Sequence, residues 1–445
     1  MTPPALLATL RSGFGRTFWV ANGIELFERF AYYGSKAVLT VYVAEQVGLG
    51  PEAAGWLVGS VFNTLLFFLP IVAGTVVDRY GFKKSLQLCF AVFCVGYFLV
   101  GLGGLPAGQG LVRALGGRTY MLLALLVTAA GGSLIKPSIV GTVARTTTAE
   151  TKSLGYSIYY VLVNFGGAVG PILALQVREN AGIAYVLVMS SLTSLALLAA
   201  TTLLFREPPP PDDAPPPRRL GRVVADMLLV FRSGRFLAFL VIFSGFWVMF
   251  WQLFYSFPFY VRDVLRYERF ELMETVDAWT IILVTVPATA LAKRLPPMRA
   301  MALGVGLATL CWFVMGLGPK TVPVAVAAVA LFAVGEATQA PRFYEYVADL
   351  APNDQVGTYM GFAFLPVAIG TFVAGAIAGG LVKHYIGTTQ GGVLTPGPRS
   401  ADPGQMWLIV GSIGVATTLL MLAYDRFVAP RAAGAAPAGR EGGAP

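Results

Sequence analysis

Residues 206–222 read REPPPPDDAPPPRRLGR, a run of proline and charge inside a chain of 445 residues that is otherwise mostly apolar. Proline lacks the amide donor that a helix or sheet requires and is stiff when extended, so this stretch reads as a linker between two halves. Outward from it the sequence falls into apolar blocks, six before it and six after. They cover 18–47, 53–77, 85–104, 119–143, 154–177, 184–204, 236–260, 276–292, 300–317, 322–347, 357–382 and 406–424. A helix of about 20 apolar residues crosses a hydrocarbon core roughly 30 Å thick, and each block approaches or exceeds that length. The sequence therefore predicts an all-α membrane protein of twelve transmembrane helices in two six-helix bundles. The expected bounds are 1–205 for the first bundle, 206–222 for a cytoplasmic linker, 223–430 for the second bundle, and 431–445 for a disordered Ala/Gly/Pro tail with too little apolar bulk to pack.

Composition narrows the function classes. The chain is 56% hydrophobic and only 12% charged, where a soluble domain carries roughly a quarter charged residues. A soluble enzyme, a nucleic-acid module and a disulfide scaffold are all disfavoured. The net charge of +9 is the Lys and Arg surplus expected of cytoplasmic loops. Counting alternate loops leaves the face opposite the termini with about half the positive charges of the terminal face, which places both termini in the cytoplasm of a bacterial-type inner or plasma membrane. Met1 to Arg16 hold no clean apolar run before a small-residue cleavage site, so the first span is expected to act as the insertion signal. Cys89, Cys94 and Cys311 lie in apolar blocks without metal-ligand spacing, and the lone His384 has no acid or Cys at catalytic spacing, so neither a metal site nor an enzyme is indicated.

Between the second and third spans stands Gly74-Thr-Val-Val-Asp78-Arg79-Tyr80-Gly81-Phe82-Lys83-Lys84. It resembles the signature loop of the major facilitator superfamily, whose twelve-helix fold it implies. There the glycine lets two helices approach, while acid and base form a charge network that breaks as the bundles rock. Gly74, Asp78, Arg79 and Gly81 are the expected gating loop.

The first span contains Glu25-Leu26-Phe27-Glu28-Arg29-Phe30-Ala31-Tyr32-Tyr33-Gly34-Ser35-Lys36, and helical spacing gathers Glu25, Glu28, Arg29, Tyr32, Tyr33 and Lys36 near one face. Four ionisable side chains at roughly 2.5–3.5 kcal/mol each cannot face lipid, so they must face a cavity. Glu25 and Arg29 are four apart and can pair. That leaves Glu28 half-desolvated, where a proton can come and go. A purely structural Glu25–Arg29 pair is the competing reading.

This segment resembles the first-helix motif of the proton-coupled oligopeptide transporter (POT/PTR) family. Gly132-Ser-Leu-Ile-Lys136-Pro137 is similar to that family's fourth-helix lysine motif, and Tyr156-Ser-Ile-Tyr-Tyr160-Val-Leu-Val-Asn164-Phe-Gly166 to its fifth-helix signature. Gly335-Glu336, followed by Pro341 and Leu350-Ala-Pro352, is similar to its tenth helix and the loop beyond. The resemblance implies a symporter importing di- or tripeptides by alternating access, with protons as the coupling ion and no other cofactor. It implies a small-molecule substrate and a lipid bilayer as partners, no nucleic acid, and function as a monomer. Glu25, Glu28, Arg29 and Lys136 would couple protons. Arg29, Tyr32, Tyr33, Lys36, Lys136, Asn164, Trp247 and Glu336 would contact substrate, the cations taking the carboxylate and Glu336 with Asn164 the amine. Blander readings stand beside these: Lys136 snorkelling to an interface, Asn164 as interhelical glue, Glu336 as a mouth charge, and Tyr32 and Tyr33 as packing.

Several positions depart from the family pattern. Phe67 stands where a second-helix tyrosine is usual, and Trp251 where a seventh-helix acid takes part in proton coupling. Asp277 stands where the eighth helix usually has asparagine, and is either a substitute amine contact or part of an external loop. Arg342 and Glu345 are spaced to pair with each other. The linker has no room for two additional helices. These changes leave a second expectation open, a carrier or exporter of another small solute that is amino-acid-like, anionic or drug-like.

Overall fold

A computed structural model describes residues 12–148, 150–209, 221, 225, 233–351 and 356–428. Most of the proline run expected as a linker, and all of the expected tail at 431–445, lie outside these residues. Among the described residues twelve helical spans follow one another. They are α1 (Arg16–Val41), α2 (Gly50–Phe68 and Pro70–Tyr80), α3 (Phe82–Leu102), α4 (Gly117–Arg145), α5 (Lys152–Ala181) and α6 (Ile183–Leu204). The second set is α7 (Gly234–Val264), α8 (Phe270–Ala292), α9 (Pro297–Leu317), α10 (Val322–Leu350), α11 (Tyr359–Tyr385) and α12 (Gln405–Phe427). All but α1 are long and apolar enough to cross a membrane, counting the two pieces of α2 as one span. The charges of α1 are what set it apart. The 40° bend in α2 falls between Phe68 and Pro70, where the proline ring and missing amide interrupt the ladder.

Two regions differ from the sequence expectation. The eighth helix begins at Phe270 rather than 276, and so takes in Glu271 and Glu274. The α11–α12 connection also carries an antiparallel hairpin, β1 (Gly387–Gln390) and β2 (Val393–Pro396), with Gln390 opposite Val393. Gly391 and Gly392, at φ +56° and +80°, make its two-residue turn, a conformation that glycine adopts without steric cost.

The same packing pattern occurs twice. In the first bundle α1 packs on α5 and α6, and α3 on α4 and α6; in the second α7 packs on α11 and α12, and α9 on α10 and α12. Shifting the helix number by six converts one list into the other, which is the mark of two related halves. The halves meet through α2 against α11 and α5 against α8, again an equivalent pair. At the first crossing a Cβ on Gly59 would stand 2.5 Å from the Gly375 Cα, so the two backbones approach as only glycine allows.

With twelve spans, both described ends lie on one face. Among the described residues four ion pairs join the bundles, and all lie at the opposite face: Arg178–Glu271, Arg269–Glu179, Arg262–Glu45 and Lys383–Glu52. Among the described residues no ion pair crosses between bundles at the terminal face. There Tyr160 and Tyr344 remain 48% and 44% exposed. The two halves are thus clamped at one face and parted at the other.

Candidate functional site

The α1 charges are buried: Glu25, Glu28, Arg29 and Lys36 are each less than 9% exposed. The pairing differs from the expectation that Glu25 takes Arg29 and leaves Glu28 alone. The Arg29 guanidinium closes on Glu28, its nearest carboxylate, while its Nε stands 3.3 Å from Glu25 Oε1. The guanidinium fork has donors enough for both acids, and its long stem reaches back to the preceding residue. Glu25 is shared: the Lys136 Nζ lies 3.8 Å from the same Oε1 and donates to the Tyr159 hydroxyl at 3.0 Å. Pro137 explains how α4 delivers this lysine. It cannot donate to the Ser133 carbonyl, and the span is interrupted at Ser133 and Leu134 just before Lys136. Lys136 therefore points into the bundle rather than snorkelling.

Lys36, two turns further along α1, has no ion-pair partner among the described residues. Its ammonium sits in aromatic rings instead: 3.3 Å from the centroid of Phe254, 4.3 Å from Trp251, 5.3 Å from Tyr33, 5.4 Å from Phe250 and 5.9 Å from Tyr32. Ring faces are electron-rich and attract a cation by about 2 kcal/mol when desolvated. Trp251 is buried, stacked on Tyr255 and against Phe67, so the two departures from the family pattern touch each other.

A cavity lies between the bundles, lined by Tyr33, Asn164, Gly167 and Pro171 of the first half and by Phe250, Phe254, Glu274, Asp277, Ala278, Ile281 and Glu336 of the second. Both oxygens of Glu274, Oδ1 of Asp277 and Oε2 of Glu336 are buried without a hydrogen-bond partner. The cavity is therefore polarised: three carboxylates of α8 and α10 line it, while no cation among the described residues does, and the Lys36 ammonium lies against the Tyr33, Phe250 and Phe254 rings of the lining. A zwitterion with separated charged ends fits that arrangement.

The structure brings Tyr33, Asn164 and Glu336 to the cavity wall and groups Glu25, Glu28, Arg29 and Lys136 together, but Arg29, Lys36 and Lys136, expected to touch substrate, are not part of the lining. It places Asp277 inside α8 and at the cavity, not in an external loop. Asn164 keeps one amide donor bonded to the Tyr160 carbonyl at 2.9 Å, a contact within its own helix. The Tyr32 hydroxyl is buried without a partner and does not reach the cavity. Trp247, expected to touch substrate, is not at the cavity either. It packs against Phe246 and Phe250, over Gly370 of α11. Arg342 and Glu345 pair with each other as their spacing suggested. Glu274, Phe250 and Phe254 are site residues that sequence reasoning missed. The acids at 271, 274 and 277, spaced three apart as on one helix face, were the available signal.

The expected gating loop is well formed but disengaged. Gly81 turns at φ +82° between α2 and α3, and Glu207, just after α6, accepts from the Phe82 and Lys83 amides at 2.8 and 2.6 Å, capping α3. The expected close approach at Gly74 is absent, with nothing within 4 Å of its Cβ position. Asp78 and Arg79 are exposed and, among the described residues, form no ion pair across the bundles; Arg79 lies over the Tyr80 ring instead. These parts lie at the terminal face, where the bundles are parted.

Fold and cavity define a multi-pass membrane protein of two helical bundles with a cavity between them. The sequence profile of the Major Facilitator Superfamily matches residues 24–375, and the chain belongs to that superfamily. It is 28% identical over 170 residues to the dipeptide and tripeptide permease B of Shigella dysenteriae, a match covering 38% of this chain and 32% of the permease. It is 29% identical over 152 residues to the dipeptide and tripeptide permease A of Escherichia coli, covering 34% and 28%. The matched part is about a third of the length of these curated relatives. Among solved structures, a POT family transporter in complex with 5-aminolevulinic acid superposes with a TM-score of 0.71 at 16% identity, over 92% of this chain and 96% of that one. A POT family transporter bound to a thioalcohol-conjugated peptide gives 0.72 at 17%, with the same coverage. The resemblance to the POT/PTR branch of the superfamily is borne out by these relatives.

Proposed function

We propose that the protein is a proton-coupled symporter that imports di- or tripeptides by alternating access. The observation that carries this reading is the polarised cavity. Asp277 and Glu336 line its second-bundle side, and the Lys36 ammonium lies against the Tyr33, Phe250 and Phe254 rings of its lining, a separation of charge that suits a peptide's ammonium and carboxylate whatever its side chains. The permease relatives support a peptide substrate. Coupling belongs to Glu25, Glu28, Arg29 and Lys136: protonation of Glu28 frees Arg29 for the peptide carboxylate, and Lys136 holds Glu25 meanwhile. Protons are the coupling ion, no cofactor is needed, and one chain suffices.

In the orientation set by the positive loops, both termini are cytoplasmic in a bacterial-type inner membrane and the cavity opens inward. Rocking α2 over α11 and α5 over α8 would break the four ion pairs of the outer face and bring Gly74 and Asp78 to the partner bundle.

Substrate class is tested by counterflow. Proteoliposomes loaded with unlabelled dialanine are expected to draw in labelled dialanine, with trialanine competing and free alanine not competing. Competition by free amino acids, with none by tripeptides, would move the carrier to an amino-acid-like solute.

A further inference from the structure

Glu274 has no place in the coupling cluster described above, yet its setting is unusual. It is 6% exposed and lines the cavity, and neither carboxylate oxygen has a hydrogen-bond partner. Lys36, the ammonium without an ion pair among the described residues, packs against Phe250 and Phe254, which line the same cavity as Glu274. The remaining charges around it are few. Asp277 and Glu271 share its helix, Tyr33 comes with Lys36 from α1, and Glu336 comes from α10. From α5 the cavity receives only Asn164, Gly167 and Pro171, and from α7 only Phe250 and Phe254. Glu271 is already held by Arg178.

A buried carboxyl group in such a site has two ways to avoid the penalty of an uncompensated charge. It can take a proton, or it can pair with Lys36. Position 251, which faces the same ammonium from α7, offers a tryptophan ring and no acid. We propose that Glu274 is the carboxyl group that carries a coupling proton on the second bundle, giving it up in exchange for the Lys36 ammonium. This rests on the proton-coupled reading above. In the exchange the O–H bond of the acid breaks, the proton leaves through the cavity to the water of the terminal face, and the carboxylate is neutralised by Lys36 across the bundle interface. Glu271, one turn away on α8, ties the same helix to α5 at the clamped face. Movement of α8 toward Lys36 is thereby felt at the outer clamp.

The test is pH-difference infrared spectroscopy on the full chain in lipid, for wild type, Glu274→Gln and Glu274→Asp, with size-exclusion elution and thermal unfolding as checks of folding. The wild type is expected to show a protonated-carboxyl band that titrates, E274Q to lose one component of it, and E274D to shift it. Wild-type and E274Q spectra that superpose would overturn the proposal. A second arm measures dialanine accumulation at a fixed proton gradient. Losing one coupled proton lowers the steady accumulation ratio about tenfold per unit of pH gradient. Unchanged accumulation in E274Q would also overturn it. Failure of the wild type to accumulate any peptide would instead overturn the peptide-symport reading, while the infrared arm still decides whether Glu274 titrates. Should E274Q not fold, E274D decides by the position of its band, and an unshifted band counts against the proposal.

Discussion

The Lys36 ammonium lies 3.3 Å from the centroid of the Phe254 ring, a cation of the first bundle held against an aromatic of the second with no carboxylate in ion-pair contact. Such a charge is tolerated by ring faces but costs more to bury than an apolar chain of equal length. Lys36→Met is therefore expected to abolish concentrative uptake while raising stability by about 1–2 kcal/mol. Thermal unfolding in detergent, together with uptake, checks both. A destabilised mutant with intact uptake would show that the lysine is structural.

The Arg29–Glu28 contact gives a second expectation. Glu28→Gln removes the group that must alternate between proton and guanidinium, so gradient-driven accumulation should disappear while counterflow persists. Lys136→Ala, which strips Glu25 of its second cation, should do the same. A Glu28→Gln protein that still concentrates substrate would take Glu28 out of the coupling role.

At the clamped face Arg262 forks onto Glu45 at 2.7 and 2.5 Å and also holds Asp263. These side chains are only 15–20% exposed in the cross-bundle pair, so the coupling should exceed that of a surface bridge, at about 1–3 kcal/mol in a double-mutant cycle of Glu45→Gln and Arg262→Gln. Spin labels at Gln46 and Glu268, read by pulsed dipolar spectroscopy, should show a new longer distance in Glu45→Gln. An unchanged distribution would mean that the remaining pairs hold this face without Glu45.

Two glycines should behave differently. Gly59→Ala forces a methyl group onto the Gly375 backbone and is expected to destabilise by about 1–3 kcal/mol. Gly74→Ala meets open space and should leave thermal stability unchanged, yet slow turnover if the terminal face closes over it. Equal effects of the two on stability would contradict the crossing geometry.

Much of this was legible in the sequence, for definite reasons. Spans announce themselves because lipid forces every backbone group into a helix, and the four charges of the first span could have only a cavity beside them. Pairing was less legible. Arg29 choosing Glu28 depends on how a long side chain folds back, which residue spacing does not encode. The start of α8 was missed because Glu271, Glu274 and Asp277 lower local hydropathy and so resemble a loop, although their spacing of three is helical. Trp247 and Trp251 were placed by alignment to a family pattern, and only packing against Gly370 and Lys36 shows where their rings go. The disengaged Gly74–Asp78 loop reflects the conformation in hand, with the bundles parted at that face, and no sequence specifies which of two states is occupied.

The central claim is proton-driven peptide import, and it is tested most directly by uptake of labelled dialanine into proteoliposomes under an inward proton gradient, with and without a protonophore. The account predicts concentrative uptake that the protonophore abolishes. Uptake that merely equilibrates, or accumulation that survives the protonophore, from protein shown to be folded by its elution profile, would contradict it.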